Sequence, residues 1–148
     1  MSAYVNPFGL TITTDDILDS LGFFDSWEER YKYIIDLGKK LPLIDPSLKN
    51  EDHLIRGCQS QVWLGAEEVD GKVIFTADSD AIITKGLIAL LIRALSEHSA
   101  EDIATTELYF IDRIGLEEHL SPTRSNGLRS MVKQMKLYGF AFASKHQN

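Results

Sequence analysis

The clearest pattern of apolar and polar positions lies in the middle of the chain, where two alternating stretches flank Asp70-Gly71. The stretches span residues 61–69 and 72–77, and Asp-Gly is typical of two-residue hairpin turns. An antiparallel hairpin about this turn places Leu64 opposite Ala77. One face then carries Val62, Leu64, Ala66, Val73, Phe75 and Ala77. That face needs a cover of other apolar side chains.

Residues 81–95 are the most apolar stretch of the chain and predict a buried helix. Apolar side chains occur nearly all round it: Ile82, Ile83, Leu87, Ile88, Leu90, Leu91, Ile92 and Leu95. A helix with almost no polar side is usually buried. Ser79 or Asp80 stands in position to cap its first turn. We expect this helix to cover the apolar face of the hairpin.

Two further helices are predicted before the hairpin. Thr14 caps residues 15–21, and Gly22 stands where a helix often ends. Ser26 opens an S-x-x-E capping box, and apolar residues then recur at helical spacing as far as Leu41-Pro42. These segments form the N-terminal helical part of the fold.

Helix start and stop signals continue on both sides of the hairpin. Asp45 caps a short turn of helix that runs to about Glu51. Ser99, Gly115 and Ser121 stand at helix boundaries in the C-terminal half. The order is therefore helices, hairpin, helices. We predict one α+β domain over residues 1–148, with a small antiparallel sheet packed against N-terminal and C-terminal helices.

Composition and charge narrow the class of protein. The 148 residues are 44% hydrophobic and 25% charged, as in an ordinary globular protein. The net charge of −7 disfavours a nucleic acid or an anionic membrane as partner. The N-terminus shows no secretory signal, which predicts a cytoplasmic protein. The single cysteine excludes an intramolecular disulfide or a Cys-rich zinc site, and His53, His98, His119 and His146 lack metal-ligand spacing.

Cys58 is the candidate reactive group. An intracellular cysteine is more often a buried apolar residue, but Gly57, Gln59 and their polar neighbours place this one on a loop. Arg56 could favour its thiolate, which is the reactive form. The hairpin register brings residues 78–80 back toward the same loop.

Two carboxylates in that returning segment have alternative roles. Asp78 and Asp80 would raise the pKa of a nearby thiol if they were unscreened. Alternatively, they cap the following helix or meet basic groups of a partner. Trp63, on the opposite face of the hairpin, either packs against the core or forms part of a docking surface.

Three separated motifs carry a resemblance to a known family. They are Gly57-Cys58-Gln59-Ser60-Gln61-Val62-Trp63, Asp78-Ser79-Asp80-Ala81 continuing through Lys85-Gly86-Leu87-Ile88-Ala89, and Ser121-Pro122-Thr123-Arg124-Ser125-Asn126-Gly127-Leu128. Together they resemble the SufE/CsdE family of sulfur acceptor proteins, over residues 27–135. The start Asn6-Pro7-Phe8-Gly9 is closer to the CsdE branch and Gln59-Ser60-Gln61 to the SufE branch, so the branch stays open.

The resemblance implies a sulfur relay. Cys58 would take persulfide sulfur from a pyridoxal-phosphate-dependent cysteine desulfurase, stimulate that enzyme and deliver the sulfur to another protein. The recipient would be an iron–sulfur assembly scaffold or a tRNA-modifying partner. Gly57 would be the point at which the loop flexes, and Arg56, Gln59, Asp78, Asp80 and Arg124 would support the site or bind the partner.

The same resemblance describes an accessory protein rather than an enzyme, without a cofactor or metal of its own. We expect a monomer or a weak dimer. Three alternatives remain: an adaptor that activates a desulfurase by binding alone, a thiol hydrolase and a cluster scaffold. A hydrolase needs a histidine base against Cys58, and a scaffold generally needs several thiolates.

Overall fold

The computed structural model describes residues 14–146, with side chains from Asp16 onward. Six helices and two strands follow one another as α1 Thr14–Gly22, α2 Trp27–Lys39, β1 Val62–Val69, β2 Lys72–Ser79, α3 Ile82–Leu95, α4 Ala100–Thr105, α5 Phe110–Ile114 and α6 Pro122–Lys145. The predicted α+β class is confirmed. The Thr14 side chain and residues 6–9 lie outside the described part of the chain.

The hairpin has the predicted register. Leu64 pairs with Ala77 and Trp63 with Asp78, and β2 continues two residues further than predicted, to Ser79. Asp70 and Gly71 both have positive φ, 53° and 80°, which suits the two-residue turn that the Asp-Gly dipeptide predicts. The register places one apolar set on the face that packs on the helices: Val62, Leu64, Ala66, Val73, Phe75 and Ala77.

The core lies between the hairpin and helices α2, α3 and α6. Phe75, Leu64 and ten further large side chains, most of them on α3, are fully buried. The outer edge of β2 is also covered, because Val73 N donates to His98 O and Ala77 N donates to Pro42 O. This edge is therefore not open to pairing with another chain.

Helices α2 and α3 contact each other through glycines. A Cβ on Gly86 would overlap the Ile34 carbonyl oxygen, and a Cβ on Gly38 would lie 3.0 Å from Gly86 N. Only residues without a side chain allow two backbones to approach this closely. The contact fixes α3, whose first turn borders the site described below.

Most of the predicted helix ends are confirmed. The Ser26, Ser99 and Ser121 side chains each accept a hydrogen bond from a backbone N–H of the first helical turn, and Gly115 ends α5 with φ 73°. The single short helix predicted up to Glu51 is wrong. Two separate 3₁₀ turns, Pro46–Leu48 and Glu51–His53, form instead, because the Asn50 side chain caps a new turn by accepting from Asp52 N.

Candidate functional site

Cys58 lies on the loop between the second 3₁₀ turn and β1, with α6 behind it. Its side chain is half-buried, and its Sγ donates to the carbonyl oxygen of Gly127 on α6 at 3.6 Å. The loop is therefore held against α6 by a weak sulfur hydrogen bond. The polar sequence around Cys58 correctly predicted a loop, although it did not predict that the sulfur is partly sheltered.

A pocket of about 540 Å³ opens beside the sulfur. Its wall is formed by the Cys58 loop, the first turn of α3 and the first turns of α6: Cys58, Gln59, Ser60, Ala81, Ile82, Ile83, Thr84, Leu87, Ser121, Thr123, Arg124, Gly127 and Met131. The structure therefore brings Cys58, Gln59 and Arg124 together. Arg124 is exposed and is the single charged side chain among the described residues of this wall.

Two helices begin at this pocket. Ala81, at the N-cap of α3, makes no side-chain capping bond, whereas the Ser121 side chain caps α6. Because a helix N-terminus carries a partial positive charge, both ends favour a negative charge in the pocket. The geometry suits an anionic sulfur next to Cys58.

The thiol itself is not activated in the free protein. Burial raises the pKa of the Cys58 thiol above its ordinary value. Burial therefore favours the neutral thiol over the thiolate, which is the more reactive form.

Gly57, beside Cys58, has a backbone conformation that glycine favours. Its φ is 95°, and a Cβ at this position would overlap Ser130 Oγ on α6. This conformation is a structural reason for glycine at position 57, and flexing of the loop at this residue stays a prediction. Any other residue would strain this turn and push the loop away from α6.

Asp78 does not line the pocket. It forms ion pairs with Lys49 Nζ at 2.9 Å and Lys85 Nζ at 3.4 Å, and Lys49 Nζ also lies 4.8 Å from the centre of the Trp63 ring. Burial works to raise the pKa of Asp78, but the hydrogen bonds from Lys49 and Ser79 N and the charge of Lys85 lower it overall. Asp78 therefore connects the 3₁₀ region, β2 and α3.

Ser79 and Asp80 were predicted as possible caps of α3, and this prediction is wrong. Ala81 occupies the N-cap position and has no side chain that can cap the helix; Ser79 Oγ accepts from Ala81 N at 3.3 Å, not from an N–H of the first helical turn. Asp80 Oδ1 instead accepts from Gln61 N at 3.0 Å, and Ser79 Oγ donates to Gln61 O at 2.8 Å. The extension of β2 to Ser79 turns both side chains toward the opposite strand. Together they fix the downstream end of the Cys58 loop.

Arg56 is directed to another part of the surface. It lines a groove of about 380 Å³ between the Glu51–His53 turn and α6, together with Ser130 and Leu137. The pocket beside Cys58 does not include it. Sequence proximity suggested an effect on the thiol, but the turn at Gly57 separates the two side chains.

Gly127 and Thr84 belong to the site but were not predicted as site residues. A Cβ on Gly127 would lie 3.4 Å from Cys58 Sγ. Glycine inside a helix costs about 1 kcal/mol relative to alanine, so its presence in α6 was a signal of close approach. Thr84 is only 8% exposed and has no hydrogen-bond partner for its side chain among residues 14–146. No sequence pattern pointed to Thr84.

The described part of the chain brings together no group of three His, Cys, Asp or Glu side chains that could hold a metal ion. Between residues 14 and 146, none of the helices is both long and apolar enough to cross a membrane.

The sequence of this chain is similar to those of known proteins. Residues 15–138 match the family model described as SufE, Fe-S metabolism associated domain. An uncharacterized SufE-like protein of Rhizobium meliloti is 40% identical over 127 residues, which cover 82% of this chain and 91% of that protein. The sulfur acceptor protein CsdE of Escherichia coli K12 is 36% identical over 128 residues, covering 85% of this chain and 87% of CsdE.

A solved structure has the same fold. The solution structure of a hypothetical protein from Thermus thermophilus superposes with a TM-score of 0.75, at 22% identity, and covers 88% of this chain and 96% of that one. The likeness supports the fold alone.

Proposed function

The chain belongs to the SufE family, and from that premise we propose that it accepts sulfur from a cysteine desulfurase and holds it as a persulfide on Cys58. It acts as an accessory protein of that enzyme and has no reaction of its own. The whole chain, residues 1–148, forms one sulfur acceptor domain. Delivery goes onward to an iron–sulfur assembly scaffold or to a tRNA-modifying partner.

One observation carries this proposal: the Cys58 sulfur borders a pocket whose other groups favour a negative charge. Arg124 and the first turns of α3 and α6 surround the space into which a second sulfur atom would extend. They stabilise a negatively charged persulfide more than they stabilise the neutral, half-buried thiol. The partly sheltered position also limits contact with oxidants in solution.

The transfer follows thiol–disulfide exchange chemistry. The Cys58 thiolate attacks the outer sulfur of the persulfide on the desulfurase and forms a new sulfur–sulfur bond. The bond between that outer sulfur and the cysteine of the desulfurase breaks, and this cysteine leaves as a thiolate. The proton lost by Cys58 ends on the departing thiolate, so no oxidant or reductant is consumed.

The supporting residues have different tasks in this proposal. Gln59 and Arg124 meet the incoming persulfide loop of the desulfurase, whereas Asp80 positions the Cys58 loop through Gln61. Asp78 acts from further away by holding the 3₁₀ region against β2. Gly57 is the point at which the loop turns outward.

The test is intact-protein mass spectrometry after incubation with a cysteine desulfurase, its pyridoxal phosphate and free cysteine. Wild type should gain the mass of one sulfur atom, which a reductant removes, and Cys58→Ser should gain none. If the protein stimulated the desulfurase without gaining mass, this result would instead support an adaptor that activates the enzyme by binding alone. Labelling of Cys58 by an acyl substrate without desulfurase would support a hydrolase.

A pH series tests the state of the thiol. Because burial raises the pKa of Cys58, its alkylation by iodoacetamide should reach half of its maximal rate at a higher pH than in the urea-unfolded chain. Addition of the desulfurase should shift this midpoint downward if docking opens the loop. A folded-state midpoint below that of the unfolded chain would contradict the sheltered thiol.

A further inference from the structure

We propose that the pocket beside Cys58 also admits a low-molecular-weight thiol carrying a carboxylate, and that this thiol removes sulfur from the Cys58 persulfide. The inference rests on the persulfide role proposed above. It adds a second route by which the sulfur leaves the protein, in addition to transfer onto a partner protein.

The size of the space supports a small-molecule occupant. Pockets that bind small ligands commonly measure about 300–1,000 Å³, and this one measures about 540 Å³. Its wall combines the apolar side chains of Ile83, Leu87 and Met131 with the polar first turn of α6. The space is much larger than a second sulfur atom on Cys58 requires.

The charge of the pocket selects the kind of thiol. Arg124 is the single charged side chain that the described residues contribute to the wall, although the whole chain has a net charge of −7. A guanidinium group binds a carboxylate through two parallel hydrogen bonds. The N-terminus of α3, which lacks a side-chain cap, adds a partial positive charge that also favours a carboxylate.

Thr84 supplies an independent indication of a polar ligand. It lines the pocket and is more than nine-tenths buried, yet its hydroxyl has no hydrogen-bond partner in residues 14–146. The hydroxyl oxygen is not itself fully buried, so it is accessible from the pocket that Thr84 lines. A carboxylate oxygen or another polar atom of a bound thiol would accept from this hydroxyl.

The reaction is balanced without a further reagent. The thiolate of the small molecule attacks the outer sulfur of the Cys58 persulfide and forms a sulfur–sulfur bond. The bond between Cys58 Sγ and that outer sulfur breaks, and Sγ leaves as a thiolate. The proton of the small thiol ends on Sγ, which is favoured because burial raises the pKa of Cys58.

The experiment loads purified protein with sulfur from inorganic polysulfide, so that no desulfurase is needed. The loaded protein is mixed with mercaptopropionate, mercaptoethanol or cysteamine, which are thiols of similar size but different charge. Loss of sulfur is followed by intact mass, and each rate is divided by the thiolate fraction of the reagent. Wild type should react fastest with mercaptopropionate.

Three variants locate the origin of this preference. Arg124→Gln should lower the ratio of the mercaptopropionate rate to the mercaptoethanol rate about tenfold, because a change in the persulfide itself alters both rates alike and cancels in the ratio. Thr84→Val should slow the reaction with mercaptopropionate about threefold at an unchanged melting temperature. Arg113→Gln removes the same charge from an exposed residue outside the pocket and should have no effect.

The possible outcomes separate this inference from the proposed function. Equal rates for all three thiols in wild type, or an unchanged ratio of the mercaptopropionate rate to the mercaptoethanol rate in Arg124→Gln, would overturn the inference alone. Polysulfide loading without any loading by a desulfurase would overturn the proposed function alone. Failure of Cys58 to retain sulfur from either source would overturn both.

Discussion

Glycine serves opposite purposes in two regions of this molecule. At the contact between α2 and α3, a Cβ on Gly86 would overlap the backbone of Ile34. At the Cys58 loop, a Cβ on Gly57 or Gly127 would meet side chains, Ser130 Oγ and Cys58 Sγ. Backbone inside a helix cannot move aside, whereas a side chain or a loop can. The first contact therefore fixes α2 and α3 against each other, and we call this rigid part of the fold the frame. The second contact leaves a loop that can be displaced from the frame.

Gly86→Ala should have the largest effect, and it acts on the frame. The added methyl group forces α3 away from α2, which we expect to lower the free energy of unfolding by about 3 kcal/mol. Urea denaturation followed by circular dichroism measures this loss. Gly22→Ala is the matched control, because nothing lies within 4 Å of its Cβ position. Equal stability of the two variants would mean that the glycine contact does not fix α3.

Gly57→Ala should have the second largest effect, and this substitution acts on the Cys58 loop. A positive φ costs a residue with a side chain about 1–2 kcal/mol, and Ser130 has to rotate away. The strain should also loosen the loop and raise the alkylation rate of Cys58 at neutral pH. An unchanged alkylation rate in a destabilised protein would show that the loop stays in place and that the strain is absorbed elsewhere.

Gly127→Ala should separate stability from function. Alanine stabilises a helix interior by up to about 1 kcal/mol relative to glycine, so the melting temperature should stay the same or rise. The new methyl group lies 3.4 Å from Cys58 Sγ and occupies space that the incoming sulfur needs. We expect sulfur acceptance from a desulfurase to fall severalfold, by mass spectrometry. A loss of stability as large as that of Gly86→Ala would erase the distinction between the two regions.

Asp78→Asn should have the smallest effect, because its ion pairs lie at the border between frame and loop. We expect the free energy of unfolding to fall by about 1 kcal/mol at neutral pH. The folded-state pKa of Asp78 is lowered, so its contribution is present above the ordinary value of about 3.9 and disappears as the pH falls through the lowered value. The melting temperatures of wild type and Asp78→Asn should therefore become equal in acid. A constant difference at all pH values would exclude the ion pairs as its cause.

The frame could be predicted from the sequence to a larger extent than the site. Asp70-Gly71 determines the hairpin register locally, and the all-round apolar pattern of residues 81–95 predicts a buried helix wherever it packs. The site depends on contacts between distant residues. Cys58 and Gly127 are 69 positions apart, and no spacing rule connects them.

Two expectations about the surroundings of Cys58 differ from the structure, and both differences have a local cause. Arg56 is close to Cys58 in sequence, but the positive φ of Gly57 turns the chain between them. Asp80 was predicted as a helix cap because of its position, yet the longer β2 directs its carboxylate to Gln61 N. The roles of the predicted site residues, including Gln59 and Arg124, remain predictions that the experiments above address.

The hydrogen bond from Gln61 N to Asp80 Oδ1 joins the start of β1 to the end of β2, so the hairpin is closed at its base. Both ends of the hairpin are joined at this point, whereas the turn at residues 70–71 is exposed at the far end. Extra residues inserted at the turn would change its length without altering the distance between Cys58 and the start of α3. A short flexible peptide placed there should leave sulfur acceptance and the melting temperature unchanged, whereas the same insertion after Ser60 should abolish acceptance. The turn is thus a position at which a reporter or an affinity tag can be attached to the working protein.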